Sequence, residues 1–441
     1  MVITTWDFIF LCFQLPLSII LTNWFSKSII PKLQSHFKRG LFLKLAACII
    51  LGLVYQYYYQ GGDTLNYFKN SRYLTNQIIT QPQQFFTYIF SSEEQFKDLF
   101  DNYISQLDES TYYFHTANIT MIKIAAIFNL FTFNSFFGTG FLFCFFSYLG
   151  LWRIFLVFYH AYPSIGKQFT FMLYIPSVVF WSSGILKDGF CMGCLGLIIY
   201  NVEKLKLNNK KIFLRILIIV ISFYLIWLIK SYIVLCLILP LLFWKYSFIF
   251  IKLKEKVSTK KLWLINIVVV FLIYRYGNIK QRIQSISLEE LYTLIIKTRA
   301  GFISSSDTDG SSFSLGEFSP TLSGFILQIP KAVNAVLFRP YIWETRKIFS
   351  LVAATESLLF LVCTILVIKK VGIKSSVKSF ISNPDIIFCF FFTFLFAAAL
   401  GFSVSNFGAL VRFKIQFMPF FVVGLLLIYH KKSKRDEIPL I

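Results

Sequence analysis

Charge is what this chain has least of. Asp, Glu, Lys and Arg make up 15% of its 441 residues, where a soluble chain carries about 25%. With 56% hydrophobic residues beside it, that deficit excludes a soluble globular enzyme, a disordered chain and a fibrous repeat. Acids are scarcer than bases, 21 against 43. The four histidines, His36, His115, His160 and His430, are scattered, so no metal centre is expected. Three soluble-enzyme signatures are missing: the Walker A phosphate loop, G-x-S-x-G and H-E-x-x-H. The eight cysteines all sit inside apolar runs, which argues against a disulfide framework. Cys191 and Cys194, although spaced C-x-x-C, read as small packing residues. Gly189, Gly193 and Gly196 likewise read as a close helix approach.

What is present is apolar and aromatic: 54 Phe, 23 Tyr and 8 Trp. Runs of roughly 20 apolar residues each suffice to cross a bilayer. They fall near 6–25, 41–59, 139–159, 168–186, 189–203, 212–229, 231–251, 262–277, 348–368, 386–404 and 415–430. The expectation is an all-α polytopic membrane protein with about eleven transmembrane helices, forming one transmembrane domain over 1–441. The first run lacks a small-residue cleavage site and reads as a retained span.

The net charge of +22 is cut into short windows beside these runs. Residues 27–40, 204–215, 252–261, 369–378 and 431–437 hold 22 of the 43 bases against three acids. Nucleic-acid binding would not divide a basic face this way, and cytoplasmic loops collect Lys and Arg. With all five windows inside, an even number of spans must separate neighbours. Ile119 to Phe133, which carries Lys123 and Asn129, then lies in the interface or re-enters. The N-terminus falls outside and the C-terminus in the cytoplasm. Two long outer loops result, 60–137 with interfacial helices and 277–347.

Charge near hydrocarbon is costly, so residues kept there invite a functional reading. Asp63 follows Gly61-Gly62 at the outer end of the second span; capping the next helix is the plain alternative. Phe180-Trp-Ser-Ser-Gly-Ile-Leu runs into Lys187-Asp188, where two spans meet almost without a loop. The alternative there is a local Lys187–Asp188 pair closing a hairpin. Arg412 and Lys414 join the last two spans on the outer side, against the positive-inside trend. The same holds for Arg299, Lys331, Arg339, Arg346 and Lys347, with interfacial snorkelling as the alternative. Glu356 lies well inside its span, as a relay or an ion-pair partner. Lys230 sits in a tight outer turn.

Asp63, Lys187, Asp188, Arg339 and Arg412 around one outer cavity would suit a glycan on a lipid pyrophosphate. A carboxylate takes the acceptor hydroxyl's proton, and the cations neutralise the leaving pyrophosphate. No cofactor is needed, because the lipid-linked donor is already activated. Gly61-Gly62-Asp63, the Phe180 to Asp188 turn and Asn406-Phe-Gly-Ala-Leu-Val-Arg412 together resemble bacterial polysaccharide-locus membrane proteins. These are the O-antigen or exopolysaccharide repeat-unit polymerases and the lipid-sugar-dependent, GT-C-like glycosyltransferases. The resemblance implies elongation or transfer of a polyprenyl-pyrophosphate-linked glycan at the outer face of the inner membrane. By position it makes Asp63, Lys187, Asp188 and Arg412 the family-like candidates, with Asp63 or Asp188 as the catalytic base. The residues themselves add Arg299, Arg339 and Lys414 to Lys187 and Arg412 as substrate-binding cations. Membrane lipid and other polysaccharide-assembly proteins are the expected partners. In the multispan transferases the acidic motif follows the first span, whereas Asp63 follows the second. Two other functions share these features: a flippase of lipid-linked glycan and a structural subunit of an envelope complex.

Overall fold

A computed structural model describes residues 2–104, 114–205, 211–254, 288–304, 313–316, 318–345 and 348–430. They form two compact units, one reaching to Val234 and the other starting at Leu235. Among the described residues the secondary structure is helical and no β-strand occurs.

The first unit opens with α1 (Thr5–Ser26) and α2 (Pro31–Leu53), the latter extended by a π-helical turn at Val54–Tyr58. Gly62, at φ +108°, turns the chain into α3 (Asp63–Thr80). Three short helices follow, α4 (Phe85–Phe90), α5 (Glu93–Leu99) and α6 (Asp101–Ile104). Next come α7 (Thr116–Thr132) and α8 (Phe136–Ala161). Asp7 of α1 accepts the backbone N–H of Phe136 at 2.7 Å. A carboxylate there suits the positive end of α8. α7 is laced to α3 and α8 by polar contacts. Asn129 donates to Ser71 Oγ at 3.0 Å and accepts from Thr139 at 2.5 Å.

Beside α8 the chain makes a hairpin of two unlike legs. The first is irregular: a 3-10 helix over Gly166–Tyr174, then α9 (Pro176–Trp181), then non-helical residues 182–186. The second is α10 (Lys187–Glu203). Ring contacts fix its register. Phe169 lies 6.0 Å from Phe158 near one end of α8. The Gly184 backbone lies against Gly140 near the other end. Phe190 then stacks on Phe146, and Arg153 covers the Tyr200 ring at 4.4 Å on the way back. Nineteen residues of α8 at 1.5 Å each make the hairpin about 29 Å tall, close to the hydrocarbon thickness of about 30 Å. Most of the irregular leg is buried by protein, the condition for non-helical backbone at membrane depth. α10 lies tight on α8 because Gly193 and Gly196 face Gly150, with backbone against backbone.

α11 (Ile212–Lys254) leaves the first unit with a break at Lys230 (φ −149°, ψ 75°). The second unit continues with α12 (Leu288–Ser304), α13 (Leu322–Phe338), α14 (Ile348–Val371) and the short α15 (Ile373–Ser382). It ends with α16 (Pro384–Ser403), α17 (Phe407–Phe413), a 3-10 turn at Lys414–Gln416 and α18 (Met418–Tyr429). α16 packs between α13 and α18. The Trp244 indole N–H donates to the buried Asp385 carboxylate at 2.7 Å in the first turn of α16.

Among the described residues, five helical stretches are long and apolar enough to cross a bilayer: Thr5–Ser26, Phe136–Ala161, Ile212–Lys245, Ser350–Val371 and Pro384–Ser403. Phe407–Gln416 with Met418–Tyr429, bent by 63°, is a sixth if taken as one span. The sequence count of eleven is larger for identifiable reasons. Residues 41–59 fall on α2, which starts at Pro31 and carries Lys38, Arg39 and Lys44. Residues 189–203 form α10, with 17 residues. Residues 168–186 are the irregular leg, and 212–229 with 231–251 are one helix broken at Lys230. Residues 262–277, Arg346, Lys347, the Ser-rich stretch 305–312 and the basic stretches 255–261 and 431–437 lie outside the described residues.

Candidate functional site

In the first unit, charges gather where the hairpin turns. Asp188, in the first turn of α10, is fully buried and accepts from Lys230 Nζ at 2.5 Å. The α11 break exists where this happens: the backbone leaves helical geometry at the residue whose ammonium must reach the carboxylate. Asp188 is thus paired across 42 positions, with Lys230 of α11. Lys187 is half-buried and lies over the Tyr67 ring of α3 at 5.8 Å. Tyr67 donates its hydroxyl to Asn118 at 2.9 Å. Asp63 stands one helical turn before Tyr67 on the same face of α3 and is half-buried. The fold therefore brings Asp63, Lys187, Asp188 and Lys230 to one end of this unit.

Lys44 was not a candidate from the sequence, and it is the most unusual residue here. It is fully buried in the middle of α2. Its Nζ donates to Ser147 Oγ at 2.9 Å, Ser182 Oγ at 2.5 Å and the Ser182 carbonyl at 3.2 Å. Ser147 lies on α8, and the two Ser182 groups lie just past the C-terminal end of α9, where a helix dipole favours a cation. Asp188 sits at the opposite end of the gap, in the first turn of α10. The break in the hairpin thus carries a positive group at its carbonyl end and a negative group at its amide end. The signal in the sequence was a lysine in an apolar run with no acid within helical reach.

In the second unit, Arg299, Arg339, Glu356 and Lys414 come together. Arg299 donates to the carbonyls of Gly401 at 2.8 Å, Val404 at 3.3 Å and Phe313 at 2.9 Å. It closes the C-terminal end of α16, again a cation at the favourable end of a helix. The Phe313 ring lies between the two arginines, 5.3 Å from Arg299 and 5.1 Å from Arg339. Arg339 forks onto Glu344, with Nε at 3.0 and 3.1 Å from its oxygens and one Nη bonding the same carboxylate. Partial burial alone would raise the Glu344 pKa, yet it lies below the usual carboxylate range because Arg339 and the Tyr341 amide hold the anion. Ser357 ties the group to α14. Its hydroxyl donates to the Arg339 carbonyl at 3.2 Å and accepts from the fully buried Lys414 at 3.1 Å. Glu356, buried beside Ser357, faces the Lys414 charge. Arg412 is half-buried on α17, its guanidinium 6.0 Å from the Phe413 ring.

The sequence reading therefore named most of the charged positions but missed their partners, namely Lys230 for Asp188, Glu344 for Arg339 and carbonyls for Arg299. Among the described residues no group of three His, Cys, Asp or Glu side chains is placed to hold a metal. All eight cysteines are unbridged. No protein family model, characterised protein or solved structure matches this chain.

Proposed function

We propose that the chain is a membrane glycosyltransferase that elongates or transfers a polyprenyl-pyrophosphate-linked glycan at the outer face of a bacterial inner membrane. In this reading the N-terminus lies outside, the C-terminus lies in the cytoplasm, and the apolar segments form about eleven spans. One observation carries the proposal: charged side chains are set into helix breaks inside otherwise apolar segments. Lys187, Asp188 and Lys230 occupy breaks in the first unit, and Arg412 with Lys414 the bend in the second. Charge at such depth is kept for a purpose, and cations beside carboxylates suit a pyrophosphate leaving group.

Asp63 is the candidate general base, because it is half-buried at the start of a helix and Asp188 is buried against Lys230. Lys187 is the candidate pyrophosphate ligand of the first unit, and Arg412 is the candidate anion ligand of the second. Arg299, Arg339 and Lys414 hold the helices that frame this end of the second unit. The internal pairing of Asp188 with Lys230 and Arg339 with Glu344 also favours a second reading, a structural subunit of an envelope complex.

The test is the purified chain with a lipid-linked repeat unit in vesicles. Longer or newly glycosylated products support the transferase, and their loss in Asp63→Asn and Arg412→Ala, with assembly intact, supports the assigned residues. Full activity in both variants rejects that site. Transbilayer movement without lengthening points to a flippase, and no turnover of any kind points to the structural subunit.

A further inference from the structure

Helix α15 is built unlike its neighbours. Ile373, Val377 and Ile381 follow at four-residue intervals and are 71%, 51% and 70% exposed. No residue of α15 is buried. At about 100° per residue, these three and Phe380 occupy one arc about 100° wide. Ser375, Ser379 and Ser382 occupy the opposite side, with Lys374 and Lys378 along one margin of the apolar arc. Only Phe380 has a ring partner on the body of the unit, Phe390 at 6.0 Å. α15 is also bracketed by two helices long and apolar enough to cross a bilayer, ending at Val371 and beginning at Pro384. Lys369 and Lys370 immediately precede it, and from Lys369 to Pro384 the chain has no acid.

We infer that α15 lies in the plane of one membrane leaflet and binds anionic phospholipid. The position and the pattern point to the same occupant. A ten-residue helix joining two spans at one surface must sit at headgroup depth, where its apolar arc meets acyl chains. Lys369, Lys374 and Lys378, without a nearby acid, then meet lipid phosphates, while Lys370 donates to the Tyr429 hydroxyl. Amphipathic helices with lysine margins bind interfaces through buried apolar area plus attraction to anionic lipid. The four-carbon lysine stems let Lys374 and Lys378 reach headgroups from the rim of the apolar arc. This inference needs only the helix and its bracketing spans, so it stands apart from the transferase assignment.

The test uses the full chain in nanodiscs, with the exposed Cys12 and Cys363 replaced by serine. Nitroxides at Val377→Cys and Ser379→Cys report depth. The expected result is that the label at 377 collides more with oxygen than with a water-soluble nickel chelate, and that the label at 379 shows the reverse. Equal nickel access at both positions overturns the inference. A second arm compares photoactivatable phosphatidylglycerol with phosphatidylcholine. Cross-linking to the peptide spanning 369–384 is expected to favour the anionic lipid. In Lys374→Gln/Lys378→Gln that preference falls at least about fivefold, the factor equivalent to one lysine at ~1 kcal/mol. A headgroup ratio near one in the unaltered chain overturns the inference, as does a ratio unchanged in a folded double variant.

Discussion

Replacing Gly150 with alanine tests the α8–α10 contact on which the hairpin rests. A Cβ at this position would lie 2.5 Å from both Cα and O of Gly193 and 2.7 Å from the Met192 carbonyl oxygen. Those are backbone atoms, so no side chain can swing aside. Reaching ordinary contact at 3.4 Å requires the helices to part by about 0.9 Å. A gap of that size forfeits roughly a quarter to a half of the dispersion energy of each contact it opens. Overpacking of this kind costs about 1–3 kcal/mol, while alanine in a helix recovers ~0.5–1 kcal/mol over glycine. The net expectation is a loss of about 1–2 kcal/mol. Gly301 supplies the control: it is helical, has a negative φ, and a Cβ there meets nothing within 4 Å. Gly301→Ala should be neutral or more stable by up to about 1 kcal/mol. Both variants would be unfolded reversibly in mixed micelles against the unaltered chain. A Gly150→Ala protein as stable as Gly301→Ala would refute the idea that touching backbones set the position of α10.

Two of the buried lysines of the first unit, Lys230 and Lys44, should differ in their response to methionine. Lys230→Met leaves Asp188 buried without its ammonium and is expected to cost about 3–5 kcal/mol, whereas Lys44→Met removes a cation that bonds only hydroxyls and a carbonyl and should change stability by less than about 1.5 kcal/mol; unfolding titrations that rank them the other way would contradict this. The Glu93 carboxyl is held down to about 2, chiefly by Lys97 and then by Thr116. Its stabilisation is complete above the unfolded value near 4.5 and is lost as pH falls toward 2. The stability difference between the unaltered chain and Glu93→Gln should therefore shrink across that window, and a constant difference would count against the contact. Thiol accessibility supplies a further check: an apolar maleimide in vesicles should modify Cys12 and Cys363 and spare the six buried cysteines, and modification of all eight would show that the packing is wrong.

The helical class was legible because apolar runs of near-bilayer length follow from composition alone, and α1, α8, α14 and α16 lie close to where hydropathy put them. The hairpin was not legible in detail. Residues 168–186 are apolar enough for a span, but Gly166, Pro176 and Ser182-Ser-Gly184 break the hydrogen-bond ladder, and whether neighbours bury the gap is a tertiary fact. Lys187 and Asp188 stand out in the sequence because two apolar runs meet there almost without a loop. Lys230 is not legible as a partner of Asp188, because spacing along a helix says nothing about a lysine 42 residues away on another helix. Lys44 escaped notice for a similar reason: a lone lysine near the start of an apolar run reads as interfacial until Ser147 and Ser182 are seen around it. The window 369–378 was read only as charge, and its apolar arc emerged once a helix gave the intervening residues an angular position.

The irregular leg has a bearing on biogenesis. A stretch that cannot satisfy its own amides has no independent stable state in lipid, so in the proposed topology 166–186 cannot be laid into the bilayer as an autonomous unit during synthesis. It needs a receiving groove, and its lining, α2 with the Lys44 ammonium and α8 with Gly140 against Gly184, is translated first. The order of elements along the gene thus matches the order in which they can be installed. Moving α2 behind the hairpin by circular permutation should leave that leg stranded and exposed to membrane proteases.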